Sequence, residues 1–253
     1  MRRAVLMCAG EYEPVPIQAS GTAGGEKRTG SPLIVAVDGG LPRLLQQGIE
    51  PDLVLGDFDS LDPAFGPYLD RLQEHDPDSL RRLPCEKDDT DTVYAARLCL
   101  EQGCGELLFY GALGGRLDHT FANVQTLAWL KKEGALGYLM GKKTLAAVIG
   151  SEKVLLPVGY EGTFSLFALD TEVTGVTLEG MKYPLSDAVL TNSFPLGVSN
   201  EIHPETVLKT QHGRACVTVR TGLALMILEK SAGARGSEES GMPDPSLIER
   251  IPL

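Results

Sequence analysis

Strand-like apolar runs alternate with helix-like segments as far as about residue 143, and beyond it only short β-rich runs follow. Alternation of that kind calls for a mostly parallel sheet, because each parallel pair needs a crossover long enough to bring the chain back to the same end. Residues 4–8, 33–37, 54–55, 107–110 and 138–140 are the expected strands. Helices are predicted over 42–47, where Pro42 suits an early position and Gly48 a stop, and from a cap at Thr90 or Asp91 to about 101. Residues 118–132 space Phe121, Val124, Leu127, Ala128 and Leu130 for one apolar helix face, while Pro63, Pro67 and Pro77 break up a partly helical stretch at 61–80. Pro, Gly and Ser crowd 10–32 into a long loop. After 143, β-rich runs at 145–149, 153–156, 163–169, 173–178, 187–191, 206–210, 215–219 and 223–228 are separated by Gly, Pro, Asn and Asp. The expected fold is α/β: an N-terminal mostly parallel sheet with flanking helices over 1–143, an antiparallel β-sandwich over 144–230, and a loosely held tail over 231–253. No internal repeat is present.

A chain of 253 residues with 43% apolar and 23% charged residues can bury a substantial core. Its net charge of −11, unrelieved by any basic run, argues against nucleic acid as a partner. It does not argue against an anionic small ligand, for which local charge and a bound cation decide. No apolar run reaches membrane-spanning length and Met1-Arg2-Arg3 leads into a strand rather than a signal peptide, so no membrane partner is expected and a cytoplasmic location is. Cys8, Cys85, Cys99, Cys104 and Cys216 follow no zinc or redox spacing and are expected to be reduced and mostly buried.

The candidate chemistry gathers where strands end. Leu53-Val54-Leu55-Gly56-Asp57-Phe58-Asp59 closes a buried strand with two aspartates one residue apart. If the strand continues through them, both carboxylates face the same side. Such a pair suits Mg²⁺, which takes one or two carboxylates and leaves positions for water and phosphate oxygens. Asp38, Asp88, Asp89, Asp91 and Asp118 also fall at strand ends or helix starts, the edge at which open α/β sheets bind ligands. Each has a plain structural use: Asp38-Gly39-Gly40 is turn composition, and Asp91 and Asp118 can cap helices. Their joint placement would gather carboxylates that repel one another until a cation intervenes. Gly111-Ala112-Leu113-Gly114-Gly115-Arg116-Leu117-Asp118-His119 offers glycines for close approach to a phosphate and an arginine able to grip its oxygens, or to pair with one of the aspartates.

Asp38-Gly39-Gly40, the run 51–60, Lys87-Asp88-Asp89-Thr90-Asp91 and Gly114-Gly115-Arg116-Leu117-Asp118-His119 together resemble the thiamine pyrophosphokinase family. The runs 175–185 and Gly197-Val198-Ser199-Asn200-Glu201 are similar to its β domain, so the likeness extends over about residues 4–229. The resemblance implies transfer of pyrophosphate from ATP to the hydroxyl of thiamine, giving thiamine diphosphate and AMP with Mg²⁺ required, at a site shared across a homodimer. Matched by motif, it implies Asp57, Asp59 and Asp91 as metal ligands, with Asp38 close to the metal and phosphates among the catalytic group. Gly39, Gly114, Arg116 and Asp118 would line the nucleotide. Thr90, Ser199 and Asn200 would be near thiamine, the last two reaching from the partner subunit. Either Asp59 or Asp91 is placed to take the hydroxyl proton. The long 10–32 loop and the absence of an obvious aromatic for thiamine depart from the pattern; Trp129 reads as core, leaving Phe194 or His203. Other Mg²⁺-dependent transferases use a similar pair of aspartates, and a binding module without turnover is the non-catalytic alternative.

Overall fold

The computed structural model describes residues 1–11, 14, 30–59, 61–84, 89–230 and 242–253. They form two compact units, Met1–Gly141 and Lys142–Leu253. The first unit alternates as the pattern requires: β1 (Arg2–Met7), β2 (Leu33–Val37), α1 (Leu41–Gln46), β3 (Leu53–Gly56), α2 (Gly66–His75), β4 (Leu80–Arg82), α3 (Asp91–Glu101), β5 (Cys104–Tyr110), α4 (Leu117–Lys132) and β6 (Leu136–Met140). The strands lie in the order β6-β5-β1-β2-β3-β4, and each adjacent pair is parallel. All their carboxyl ends therefore open on one edge. The central strands are buried along nearly their whole length, as the unbroken Val, Leu and Ala runs demand of a sheet covered on both faces.

Pro63, Pro67 and Pro77 do not break a helix; each occupies one of the first two positions of a helical turn, where the missing N–H costs nothing. The three-residue strand β4 lies outside the expected strands; it is too short to carry a periodic signal, and its position at the sheet edge is a tertiary fact. In α4 the buried residues are Asn123, Thr126, Leu127 and Leu130, whereas Phe121 is exposed and Trp129 half-buried. Asn123 earns its place by donating to the Ala112 carbonyl at 2.7 Å, which ties α4 to the loop that precedes it.

The second unit holds β7 (Thr144–Ile149), β8 (Glu152–Leu155), β9 (Gly162–Ala168), β10 (Glu172–Glu179), β11 (Leu185–Thr191), β12 (Asn200–Ile202), α5 (Pro204–Val207), β13 (Cys216–Val219), β14 (Ala224–Lys230) and β15 (Glu249–Pro252). Two antiparallel layers result: β12-β9-β14-β7 and β11-β10-β13-β8-β15. Alternating burial along β9 and β10 follows from one face packing inward. Residues 206–210, read as a strand, instead belong to and follow the helical turn α5. Pro204 begins it, and His203 and Thr206 bond each other's backbone in a reciprocal cap, which overrides the β preference of Thr206 and Val207.

The end of the chain is also not the free tail expected. Residues 231–241 lie outside the described residues, but β15 pairs antiparallel with β8. Two arginines hold it. Arg250 donates to Glu152 at 3.1 Å, both almost wholly buried, and to the Val148 carbonyl. Arg214 donates to Glu249 and to the carbonyls of Leu155, Leu156 and Leu247. Cys8, Cys99, Cys104 and Cys216 are buried free thiols, and Cys85 lies outside the described residues. Among the described residues no helix is long and apolar enough to cross a membrane.

Candidate active site

Asp38 is the first residue past β2. Its backbone turns into the left-handed region at φ 48°, which aspartate tolerates better than most residues, and the chain closes a single tight helical turn through Gly39, itself half-buried, to Gly40. The end of β3 lies against it: a Cβ at Gly56 would stand 3.0 Å from the Asp38 Cα, so only a residue without a side chain lets the two loops touch.

The strand does not continue through the aspartate pair. β3 stops at Gly56, Phe58 takes φ 60°, and the Asp59 amide donates to Asp57 Oδ1 at 3.2 Å. A side chain satisfying the backbone two residues on competes with the sheet ladder, so a turn replaces the pleat. The Arg82 guanidinium, from the end of β4, stands over the Phe58 ring at 5.6 Å and packs this turn. Asp57 is half-buried and Asp59 exposed.

Asp91 opens α3, half-buried, with Thr90 as the cap: the Thr90 hydroxyl accepts from the Val93 amide at 3.3 Å. Asp89 pairs with Arg97 at 2.9 Å. Lys87, Asp88 and Ser60 lie outside the described residues.

The electrostatics show which carboxylates share a field. The proton affinity of Asp38 is raised, first by burial and then by the charges of Asp57, Asp91 and Asp59, against a hydrogen bond from the Gly39 amide. Its Oδ1 is buried with no hydrogen-bond partner. Acids from two other loops thus act on Asp38. Among the described residues no three His, Cys, Asp or Glu side chains are gathered tightly enough to hold a metal by themselves. The set fits a cation that takes few protein ligands and draws the rest from substrate phosphates and water, as Mg²⁺ does, and an orphaned buried carboxylate oxygen is the group such a cation would satisfy.

Asp118 stands apart from this group. Arg116 grips it with a fork, Nη2 to Oδ2 at 2.6 Å and Nε to Oδ1 at 3.2 Å, and the His119 amide donates to the same carboxylate. These bonds hold its carboxyl down to about 2, mainly through Arg116, although both side chains are well exposed. Gly114 and Gly115, at φ 78° and 67°, form the bend before this pair. The reading of Arg116 as the partner of an aspartate is the one met here, with its outer donors facing solvent.

In the second unit, Ser199 is exposed at φ 57° and its amide donates to the Ser165 hydroxyl. Asn200 is turned inward instead of outward. It is 4% exposed; its Oδ1 accepts from the Tyr183 and Glu201 amides, both at 2.9 Å, and its Nδ2 donates to the Tyr183 carbonyl at 2.7 Å. Phe194 is exposed on the β11–β12 connection, and His203 is engaged by Glu201 at 3.0 Å.

Sequence reasoning missed two arginines at the carboxyl edge, Arg82 and Arg43. Arg43, on α1, donates to the carbonyls of Cys8 and Ala9. Neither belongs to a motif; a six-residue helix and a three-residue strand are too short to give an arginine a periodic signature. Burial pushes the neighbouring Cys8 thiol up to about 12, which leaves it a bystander bonded to Thr92.

Comparison with known proteins converges on one family. Residues 27–137 match the family model described as "Thiamin pyrophosphokinase, catalytic domain", and residues 153–214 match "Thiamin pyrophosphokinase, vitamin B1 binding domain". A thiamine pyrophosphokinase of Bacillus subtilis is 28% identical over 196 residues, 77% of this chain and 86% of that one. Among solved structures, the thiamin pyrophosphokinase of Geobacillus thermodenitrificans superposes with a TM-score of 0.69 at 26% identity, over 92% of this chain and all of that one. The yeast thiamin pyrophosphokinase shares the fold at 14% identity, with a TM-score of 0.67 over 90% of this chain and 86% of its own.

Proposed function

The chain belongs to the thiamin pyrophosphokinase family and is a thiamine diphosphokinase, and we propose that it moves the two terminal phosphates of ATP as one unit onto the hydroxyl of thiamine. The hydroxyl oxygen bonds to the β-phosphorus, the bond from that phosphorus to the α–β bridging oxygen breaks, and AMP leaves with the electron pair. The hydroxyl proton passes to a carboxylate, Asp59 or Asp91. The observation that carries this reading is the buried, unpartnered Oδ1 of Asp38 in the joint field of Asp57, Asp59 and Asp91. Such a field repels a bare triphosphate and attracts one accompanied by a divalent cation.

Asp57, Asp59 and Asp91 are the carboxylates that would offer ligands to Mg²⁺, with Asp38 beside it; since no three of them are gathered tightly enough on their own, substrate phosphates and water would complete its shell. When bound, the ion neutralises triphosphate charge and polarises the phosphorus under attack. The protein's own share is positioning, which dominates phosphoryl-transfer catalysis. The turn at Phe58 sets the angle between Asp57 and Asp59, and Thr90 fixes the start of α3 so that Asp91 faces the same edge. Arg116 exchanges Asp118 for phosphate oxygens when the nucleotide arrives, with Gly39 and Gly114 leaving room for it. Ser199 lies toward thiamine from the partner subunit of a homodimer; Asn200 supports that segment from within. The acidic edge also favours the cationic thiazolium.

The test is incubation with ATP, Mg²⁺ and thiamine, with products separated by chromatography. AMP and thiamine diphosphate in equal amounts are expected. ADP with thiamine monophosphate would overturn transfer of the two phosphates as a unit.

A further inference from the structure

We propose that Arg43 is a positioning residue that fixes the nucleotide side of the site by locking two loops at a backbone crossing; the proposal rests on the ATP-dependent reading above. Beyond the sheet, the chain leaving β1 and the chain leaving β5 stay in contact. The Cys8 amide donates to the Tyr110 carbonyl at 2.8 Å, the Gly10 amide to the Gly111 carbonyl at 2.7 Å, and Glu11 bridges Leu113. The approach is so close that a Cβ at Gly10 would stand 2.5 Å from the Gly111 oxygen, and a Cβ at Gly111 2.5 Å from the Cys8 oxygen. Backbone meets backbone, and the carbonyls of Cys8 and Ala9 accept from a side chain.

Arg43 supplies the donors. Its Nη1 reaches the Cys8 carbonyl at 3.3 Å and its Nη2 the Ala9 carbonyl, while Nη1 also stands 3.1 Å from where a Gly111 Cβ would be. One guanidinium therefore bonds the chain leaving β1 and packs beside Gly111 on the chain leaving β5, in the space a side chain there would take. α1 begins directly after the Asp38–Gly40 turn, so the same residue links three exits from the carboxyl edge. One leads from Asp38, one from β1, and one from β5 to the Gly114-Gly115-Arg116 bend. The crossing also sets Glu11, whose carboxyl carbon is 3.1 Å from the Cβ position of Gly114. A shift of the crossing therefore displaces Gly114 and Arg116 relative to Asp38, and misplacement of about 1 Å at remote positions is enough to lower catalysis a hundredfold. A lysine cannot take this place, because a point ammonium lacks the planar fork that reaches two carbonyls at once.

The experiment measures ATP affinity by calorimetry with Mg²⁺, together with steady-state kinetics, for wild type, Arg43→Lys, Arg43→Gln and Arg43→Ala. We expect ATP affinity to fall about tenfold or more in all three variants, the KM for thiamine to stay within about twofold, and added guanidinium to restore part of the ATP affinity of Arg43→Ala. Arg43→Lys should behave like Arg43→Gln. Wild-type ATP affinity in a folded Arg43→Gln protein would overturn the proposal. So would losses that fall equally on ATP and thiamine and track the unfolded fraction seen by circular dichroism, since they would make Arg43 merely structural. Failure of the wild type itself to bind ATP would refute the ATP-dependent reading instead, before any variant is compared.

Discussion

Replacing Asn200 by alanine separates two roles that sequence motifs alone leave merged. Its side chain makes three hydrogen bonds to the backbone of Tyr183 and Glu201, and its amide is buried. Each such bond contributes roughly 0.5–1.5 kcal/mol net, and leaving buried backbone groups unpaired pushes the loss toward the upper end. The expected cost is about 2–4 kcal/mol. A cost of that size lowers the melting midpoint by about 5–15 °C, at 2–4 °C per kcal/mol for a chain in this size range. Asn200→Asp is the sharper companion, because it keeps the acceptor facing the Tyr183 amide and replaces the donor to the Tyr183 carbonyl with a second acceptor. Differential scanning calorimetry of both variants, alongside the KM for thiamine measured well below the melting range, reads the two roles independently. A midpoint within about 2 °C of wild type combined with a large rise in the KM for thiamine would refute the scaffold argument and return Asn200 to the thiamine-contacting set.

Asp38→Asn should abolish turnover while making the ligand-free protein more stable at neutral pH, because the isosteric amide carries no charge into the field of Asp57, Asp91 and Asp59. The sign follows from its raised proton affinity: the folded state is penalised where the carboxyl is ionised, so the advantage of asparagine shrinks as pH falls through the folded-state pKa. Equal or lower thermal stability of the variant at neutral pH would show that the carboxylate field is not costly. Arg250→Met should cost about 3–5 kcal/mol, because it leaves the Glu152 carboxylate buried without its cation. Denaturant titration checks this, and an unchanged midpoint would mean that β15 does not brace the second unit.

The resemblance in the motifs and the family comparisons agree on the kind of enzyme, and the residues show why motifs reach that far. Asp38-Gly39-Gly40 and Asp57-Phe58-Asp59 each sit where a parallel strand gives way to a loop or helical turn, Thr90-Asp91 opens a helix, and local composition marks such places. Convergence was less legible. Asp38 meets Asp57, Asp59 and Asp91 only because β2 and β3 are neighbours and α3 starts at the same edge, whereas Asp118, in an equally convincing motif, spends its charge on Arg116.

Hydrophobic period and turn chemistry, read from the sequence alone, determined the alternating parallel half, the β-rich half and the helix capped at Thr90 or Asp91, because these depend on neighbours within a few residues. Short-range bonds that no periodic pattern marks bent Asp57 and Asp59 out of the strand and made part of the 206–210 run helical. Tertiary structure alone turned Asn200 inward and drew the supposed tail into the sheet as β15. In both cases the deciding partner, the Tyr183 backbone for Asn200 and Glu152 for Arg250, is far away in the chain, and the free energy of satisfying a buried polar group there outweighs local preference.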